Sequence, residues 1–177
     1  MRKLIESTFT TLNGVIDNPQ RWSPPYWDDE HVAYTQGLME GVEAQVLGRV
    51  TYEGFADAWL SRSGDPFADS MNAMPKYVAT RTLTEWKWNA RPLEGDAVEA
   101  VRALKAEGDG ELVVLGSGDL VRQLATAGLV DVYQLTVLPV VLGAGTRLFG
   151  DMHTKLEPLS SQAFPSGIFV GRFRVVR

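Results

Sequence analysis

The stretch from Glu111 to Gly150, ELVVLGSGDLVRQLATAGLVDVYQLTVLPVVLGAGTRLFG, decides the fold. It begins with a short apolar run, Leu112 to Leu115, which leads into a glycine turn at positions 116–118. An amphipathic segment follows, and then a β-branched run from Val130 to Val141 that Pro139 interrupts. This order predicts a strand, a glycine turn, a helix and a second strand.

The glycine turn, Gly116-Ser117-Gly118, is where this stretch suggests chemistry. Two glycines let the backbone approach a ligand closely, and the helix behind them starts with free N–H groups and a partial positive charge. Phosphates bind readily at such a place. Position 121 is Val, not the third glycine of a Rossmann fingerprint, so a standard dinucleotide fold matches poorly. A tight strand-to-helix connection without a ligand explains the turn equally well.

The length and composition are those of an ordinary globular protein, and they exclude several classes of function. The 177 residues suit one domain, and a net charge of −5 without a basic cluster argues against nucleic acid as the main partner. The chain has no cysteine, which excludes disulfides, thiol catalysis and zinc sites with sulfur ligands. The two histidines, His31 and His153, lie far apart in the sequence, and we expect no metal site.

The N-terminal segment, MRKLIESTFT, lacks the long apolar region of a signal peptide. No apolar run approaches the ~20 residues that a membrane span needs. From the sequence we therefore expect a cytoplasmic protein that does not contact a membrane.

Two more segments combine an arginine with hydroxyl groups directly after a predicted strand. The first is Gly48-Arg49-Thr51, behind the short strand at Val46 and Leu47; the second is Thr80-Arg81, behind the strand Lys76 to Thr80. An arginine fork and a hydroxyl beside a helix start can hold a phosphate. Alternatively, Arg49 pairs with a surface carboxylate and Thr51 only caps a helix. With the glycine turn, these segments predict an extended anionic ligand across the carboxyl ends of the strands.

The first strand is predicted from Lys3 to Thr10, where apolar and polar residues alternate. The loop that follows, Leu12 to Pro19, contains Asn-Gly and Asp-Asn-Pro turn signals. A loop at this position can act as a mobile lid, because loops carry function on a rigid scaffold. A simple hairpin turn is the other interpretation.

Two neighbouring acidic residues, Asp28 and Asp29, open a predicted helix whose apolar residues, up to Val46, follow the helical period. They are candidates for a substrate-binding carboxylate, although helix-start caps explain most such pairs. Three aromatic residues precede them. Trp22, Tyr26 and Trp27 form a wall on which a substrate stacks or, alternatively, belong to the core or an interface.

The remaining segments complete an alternation of strands and helices. The segment Glu85 to Pro92, which contains two tryptophans, is predicted as an exposed edge strand or loop, and Gly167 to Val176 as a final antiparallel strand with a possible bulge at Gly171. We predict an α/β fold in a single domain, residues 1–177: a mostly parallel central sheet flanked by helices, with an antiparallel C-terminal edge.

Five segments in a fixed order carry a resemblance that spans nearly the whole chain. They are TFTTLNGVID (8–17), LGRVTYEGF (47–55), KYVATRTL (76–83), VVLGSGDLVRQL (113–124) and GLVDVYQLTVLPVVLGAGTRLF (128–149). Together they resemble dihydrofolate-reductase-fold proteins, and more closely the branch that includes the reductase domain of the riboflavin-biosynthesis deaminase–reductase. The resemblance implies a dihydrofolate-reductase-like fold and an NADPH-dependent reductase.

The resemblance also implies roles for individual residues of this chain. The cofactor phosphates would be held by Gly48, Arg49 and Thr51, and the adenosine with its 2′-phosphate by Thr80 and Arg81. The pyrophosphate and nicotinamide side would be lined by the residues of the glycine turn and the helix start, namely Gly116, Ser117, Gly118, Asp119 and Leu120. The nicotinamide and the lid loop would involve Thr10, Asn13, Gly14 and Ile16. The candidate catalytic residues are Asn13, Asp28 and Asp29.

The implied reaction is hydride transfer from NADPH to a pterin- or pyrimidine-like heterocycle. A neutral Asn13 can hydrogen-bond a substrate but cannot act as a general acid, so a non-catalytic nucleotide-binding protein is an alternative. An oligomeric interaction module on the same fold is another. We expect a homodimer in which the run Val132 to Val141 pairs across the interface, unless that run is a buried central strand.

Overall fold

A single eight-stranded sheet organises the computed structural model, which describes residues 1–177. The strands lie in the order β4-β3-β2-β5-β1-β6-β8-β7, so that sequence neighbours are often separated in space. The six strands from β4 to β6 run parallel, and β8 and β7 continue the sheet in antiparallel pairs. The predicted class, a mostly parallel sheet with helices and an antiparallel C-terminal edge, is confirmed.

Up to β6, strands alternate with helices along the chain, except that α3 follows α2 and β4 follows β3 directly. The strands are β1 (Lys3–Thr11), β2 (Val42–Gly48), β3 (Lys76–Ala79), β4 (Ala90–Pro92), β5 (Glu111–Leu115), β6 (Val132–Leu138), β7 (Lys155–Ala163) and β8 (Phe169–Val176). The helices are α1 (Asp29–Gly37), α2 (Arg49–Trp59), α3 (Pro66–Ala73), α4 (Ala97–Ala106) and α5 (Gly118–Thr126). None of these helices combines the length and the apolar character that crossing a bilayer requires.

Helices cover both faces of the sheet, because the central strands bury side chains on both sides. On one face, Leu4 of β1 packs in a cluster with residues of α4 and α5 such as Val101 and Leu124. On the other face, Leu47 of β2 packs with Tyr52 of α2 and with α3. The carboxyl ends of β2, β5 and β1 are therefore held in a fixed arrangement at the edge where α2 and α5 begin.

Strand β6 is an interior strand. It pairs with β1 on one side and with β8 on the other, which leaves no free edge for a second chain. It also ends at Leu138, because Pro139 cannot continue the ladder. The expected pairing of residues 132–141 across a dimer is therefore wrong, and the alternative of a buried central strand holds.

The helix that begins behind Asp28 is shorter than predicted. It ends at Gly37, and Val42 and Val46 belong to β2, where side chains alternate between the two faces of the sheet. Gly41, with φ +86°, provides the reversal that lets the chain leave the helix and enter the strand. Val42 and Val46 are therefore apolar because both faces of β2 are covered, and not because they continue the helix.

Two other predictions need correction. Trp88 is not exposed: its side chain is buried beside α2 and α3, and its indole Nε1 donates a hydrogen bond to Asn72 Oδ1 at 2.7 Å. In the C-terminal sheet, the irregularity lies in β7, between Pro158 and Ser160, and Gly171 pairs regularly. At Gly171 the absent side chain makes room for the ring of Phe173.

Candidate functional site

The turns that start α2 and α5 meet at the carboxyl edge of the sheet, because β2 and β5 are parallel neighbours. The Ser117 hydroxyl joins them. It accepts a hydrogen bond from the backbone N–H of Gly48 at 2.9 Å, and it lies 3.0 Å from Thr51 Oγ1 and 3.1 Å from the carbonyl oxygen of Leu115. Three sequence-predicted residues, Gly48, Thr51 and Ser117, are thus brought into direct contact.

The β5–α5 turn has a conformation that favours glycine. Gly116 and Ser117 both have left-handed backbone angles, with φ +55° and +57°. The third residue of the turn, Gly118, lies against the lid loop, since a side chain there would collide with Ile16. The start of α5 therefore lies at the carboxyl end of β5, between the ends of its neighbours β1 and β2.

The starts of α2 and α5 present backbone N–H groups that the helices themselves cannot use. Arg49 stands at the first position of α2, and its guanidinium pairs with Glu53 at 3.1 Å on the exposed surface. Arg122 reaches over the start of α5, beside Gly118, where it pairs with Asp119. Two helix N-termini and two arginine side chains together have the chemistry to hold an anion, and we call this set the anion-binding surface.

The third predicted segment continues this surface along the sheet. In the register of the sheet, Gly48 at the end of β2 lies beside Ala79 at the end of β3, so Thr80 and Arg81 follow at the same edge. Thr80 Oγ1 accepts hydrogen bonds from the backbone N–H groups of Thr82 and Leu83 and shapes this turn. The Arg81 side chain is exposed and faces solvent at that edge.

The lid loop, residues 12–17, is clasped to the loop that follows β6. Val15 forms a bridge with Arg147, and the Asp17 carboxylate accepts a hydrogen bond from Thr146 N at 2.5 Å. Gly145, with φ +135°, gives the space that Val15 occupies. The loop is therefore closed over the end of β1, with Ile16 packed toward the α5 turn.

Asn13 uses its side-chain amide inside this clasp. Its Nδ2 donates to the Leu142 carbonyl at 2.7 Å, and its Oδ1 accepts from Thr11 Oγ1 at 2.7 Å and from Leu142 N at 3.3 Å. Gly14, with φ +85°, has open space around it. The buried Thr10, on β1, donates its hydroxyl proton to the carbonyl of Thr11. The hydrogen bonds between Asn13 and Leu142 therefore connect the lid loop to a segment 129 residues away in the sequence.

The acidic start of α1 lies on the opposite side of the end of β1. Asp28 caps the helix, accepting a hydrogen bond from His31 N at 2.7 Å, while Asp29 is exposed in the first turn. The Ser166 hydroxyl, and after it the His31 N–H, hold the pKa of Asp28 below its usual range. The second carboxylate oxygen, Oδ2, is buried.

The aromatic residues around this carboxylate differ in their exposure. Trp22 and Tyr26 pack against the apolar cluster beside β8, and Trp22 Nε1 donates to the Asp17 carbonyl at 2.8 Å. Trp27 is 50% exposed, and its ring lies 6.1 Å from that of Phe9 on β1. Of the three, Trp27 has the free surface that a stacking ligand needs.

Three residues of the site were not found from the sequence. Phe9 lies between Trp27 and His31, with ring centres 6.1 Å from each. The position of Phe9 could have been predicted from the alternation of β1, because the odd-numbered residues share one face of the strand. His31 is buried with both ring nitrogens unpartnered, and burial lowers its pKa against the attraction of Asp28. Arg122 stands one helical turn after Gly118, on the same side of α5.

The geometry can be compared with known proteins. The model of the RibD C-terminal domain family matches residues 2–170. The uncharacterised protein YyaP of Bacillus subtilis is 25% identical over 174 residues, which cover 94% of this chain and 92% of that protein. A putative riboflavin biosynthesis protein from Shewanella sp. PV-4 has a similar structure, with a TM-score of 0.74, 24% identity and 99% of each chain covered.

A dihydrofolate reductase from Enterococcus faecalis, solved with NADP(H) and the compound RAB-propyl, also has a similar structure. Its TM-score is 0.65 at 15% identity, and the match covers 99% of this chain and 97% of the other. At this level of identity the similarity concerns the fold. The two chains therefore share a dihydrofolate-reductase-like fold over nearly their full length.

Proposed function

This chain belongs to the RibD C-terminal domain family, and on that premise we propose that it is an NADPH-dependent reductase that transfers a hydride to a pterin- or pyrimidine-like heterocycle. A reductase-type family is supported by the match over residues 2–170. The observation that carries the proposal is the anion-binding surface at the carboxyl edge, where two helix starts meet through Ser117 and arginine side chains stand beside them.

The donor set of this edge suits a dinucleotide. The free N–H groups at the starts of α2 and α5 bind the pyrophosphate, and Arg49 leaves Glu53 to pair with a phosphate oxygen. An exposed ion pair contributes little, so this exchange costs little. Arg81, further along the edge, binds the 2′-phosphate and thereby distinguishes NADPH from NADH.

The lid loop borders the nicotinamide and keeps water away from it. Gly14 has open space around it, Thr10 lies near the end of β1, and Ile16 lies against Gly118. The clasp through Asn13 and Leu142 holds the loop closed. Reduced nicotinamide, when bound, supplies the hydride, and exclusion of water strengthens the polar contacts around the reacting atoms.

The heterocycle occupies the space between the lid loop and the start of α1. Trp27 and Phe9 provide aromatic surface for a planar ring, and the Asp28 carboxylate accepts hydrogen bonds from ring N–H or amino groups. Because its pKa is held low, Asp28 stays ionised near neutral pH and serves better to orient the substrate than to donate a proton. Asn13 and Asp29 contribute hydrogen bonds only if the loops rearrange on binding.

The test is a titration with NADPH and with NADH that follows the quenching of tryptophan fluorescence. We expect NADPH to bind at least tenfold more tightly than NADH, and Arg81→Ala to remove that preference. NADPH oxidation is then measured over panels of dihydrofolates, dihydropterins and aminouracils. Absence of binding for both cofactors would refute the reductase assignment, and binding without turnover on any panel would refute the substrate class.

A non-catalytic nucleotide-binding protein is the second candidate, and the engagement of Asn13 favours it. The amide of Asn13 is engaged within the chain, and a neutral amide cannot act as a general acid toward a substrate. In that case NADPH binds with the same residues, but no heterocycle accelerates its oxidation. The same titration and panels therefore separate the two candidates.

A further inference from the structure

We propose that Ser117 is a positioning residue whose hydroxyl locks the starts of α2 and α5 together, so that both helices present their N–H groups to the same pyrophosphate. The inference rests on the proposed function, because it concerns how tightly the cofactor is held. Ser117 itself need not touch the cofactor: it acts through Gly48 and Thr51, which carry the backbone of the α2 turn.

The hydrogen-bonding capacity of the Ser117 hydroxyl is fully used by this contact. A hydroxyl has one proton to donate and two lone pairs that accept. The Gly48 N–H donates to it at 2.9 Å, the Thr51 hydroxyl lies 3.0 Å away, and the Leu115 carbonyl accepts at 3.1 Å. Gly48 and Thr51 belong to the α2 turn, and Leu115 lies at the start of the α5 turn. Ser117 is 69 residues from Gly48 and 66 residues from Thr51 in the sequence. One side chain therefore fixes the distance between two helix starts.

The backbone conformation of Ser117 supports a specific role for its hydroxyl. Residue 117 has φ +57°, in the left-handed region where glycine is favoured and a serine is strained. Glycine would therefore satisfy the turn better than serine if the turn were the sole requirement. The side chain offsets this strain with hydrogen bonds that no glycine can form.

Binding at a site built from two segments depends on the fraction of molecules in which both segments are in place. When that fraction falls, the apparent dissociation constant rises in inverse proportion. Without the hydroxyl, the α2 and α5 turns are joined only through the sheet, and their N–H groups converge less often. We expect Ser117→Gly to weaken NADPH binding about tenfold, the effect of losing roughly one hydrogen bond.

The glycine variant separates positioning from stability. Ser117→Gly removes the backbone strain along with the hydrogen bonds, so its melting temperature should stay within about 3 °C of the wild type. Ser117→Ala keeps the strain and loses the hydrogen bonds, and should bind weakly and also melt earlier. With any substrate that is turned over, Ser117→Gly should raise the KM for NADPH and leave kcat within twofold.

Two controls test the mechanism. Asn89, at the amino end of β4 and thus opposite the carboxyl edge, also has a left-handed backbone, φ +49°, and its Nδ2 donates a hydrogen bond to the Ala73 carbonyl at 2.6 Å. Asn89→Gly is therefore the matched glycine substitution and should bind NADPH like the wild type. In a double-mutant cycle, Thr51→Val should weaken binding less in the Ser117→Gly background than in the wild type, because one connection is already lost. Adenosine 2′-monophosphate, which lacks the pyrophosphate, should bind equally to wild type and Ser117→Gly.

The experiment measures NADPH affinity by fluorescence titration, and melting temperatures, for the wild type, Ser117→Gly, Ser117→Ala and Asn89→Gly. Weaker NADPH binding by Ser117→Gly, with an unchanged melting temperature and unchanged adenosine 2′-monophosphate binding, supports the inference. Equal NADPH affinity of Ser117→Gly and wild type overturns it and leaves the proposed function intact. If the wild type itself binds no NADPH, the proposed function fails and the inference fails with it.

Discussion

A buried carboxyl group in the middle of β1 gives a quantitative prediction. Glu6 lies between Val114 of β5 and Tyr133 of β6, is 0% exposed, and has no hydrogen-bond partner for either carboxyl oxygen. Burial raises the pKa of Glu6 well above its ordinary range. Glu6 is therefore protonated and neutral in the folded protein at a pH where the unfolded chain has already lost this proton.

The sign and the size of the effect follow from that difference. The stability that depends on the Glu6 proton is complete below the ordinary glutamate pKa of about 4.3, and it falls as the pH rises toward the raised pKa. Between pH 5 and pH 6 the fall is about 1.3 kcal/mol, set by the ordinary glutamate pKa of the unfolded chain, as long as the folded carboxyl stays protonated. Glu6→Gln, neutral at every pH, lacks this loss.

The assay is urea unfolding of the wild type and Glu6→Gln at pH 5, 6 and 7. The difference between their free energies of unfolding should shift in favour of the variant by about 1.3 kcal/mol from pH 5 to pH 6, since all other titrating groups cancel in the difference. Glu107→Gln, on the exposed end of α4, is the control and should show no such shift. A difference that is the same at all three pH values would refute the burial of a neutral Glu6.

Three further predictions concern the cofactor, the substrate and an ion-pair cluster. Arg81→Ala should weaken NADPH binding by about tenfold and leave NADH binding unchanged; equal losses for both would remove Arg81 from the 2′-phosphate. Trp27→Ala should raise the substrate KM at least fivefold, with stability within about 1 kcal/mol because the ring is half exposed; an unchanged KM would exclude stacking. Although burial opposes it, hydrogen bonds from Lys105, the Leu4 N–H and Arg177 hold the pKa of Asp131 low, so Asp131→Asn should destabilise the protein by about 3 kcal/mol at pH 7 and by clearly less at pH 3. Urea unfolding at the two pH values checks this, and an equal cost at both would contradict it.

The parallel part of the sheet could be predicted from the sequence because each element carried a local signal. The apolar runs at β5 and β6, the glycine turn and the alternation of β1 are each signals contained within about ten residues of sequence. Strand β7 had no such signal. Its residues, KLEPLSSQA, are mostly polar and exposed, and the strand exists because β8 offers it a free edge to pair with.

The site was predicted less completely than the fold, since its decisive contacts join distant parts of the chain. The turns containing Gly48 and Ser117 were each identified, but the hydrogen bond between them spans 69 residues and has no sequence signal. The same holds for the bond from Asn13 to Leu142, which assigns an amide to the clasp of the lid loop. Composition and spacing indicate which residues are able to bind, and the strand order decides which of them meet.

The strand order also has a consequence for synthesis on the ribosome. β1, the first strand to emerge, has as its two neighbours β5 and β6, whose pairing residues begin at Glu111 and Val132. Both edges of β1 therefore stay unpaired until β5 is complete at Leu115, about two thirds of the way along the chain, while β2, β3 and β4 pair locally. Nascent chains that stall before Glu111 expose β1 with two free edges, and they are the species on which chaperones would be expected to act.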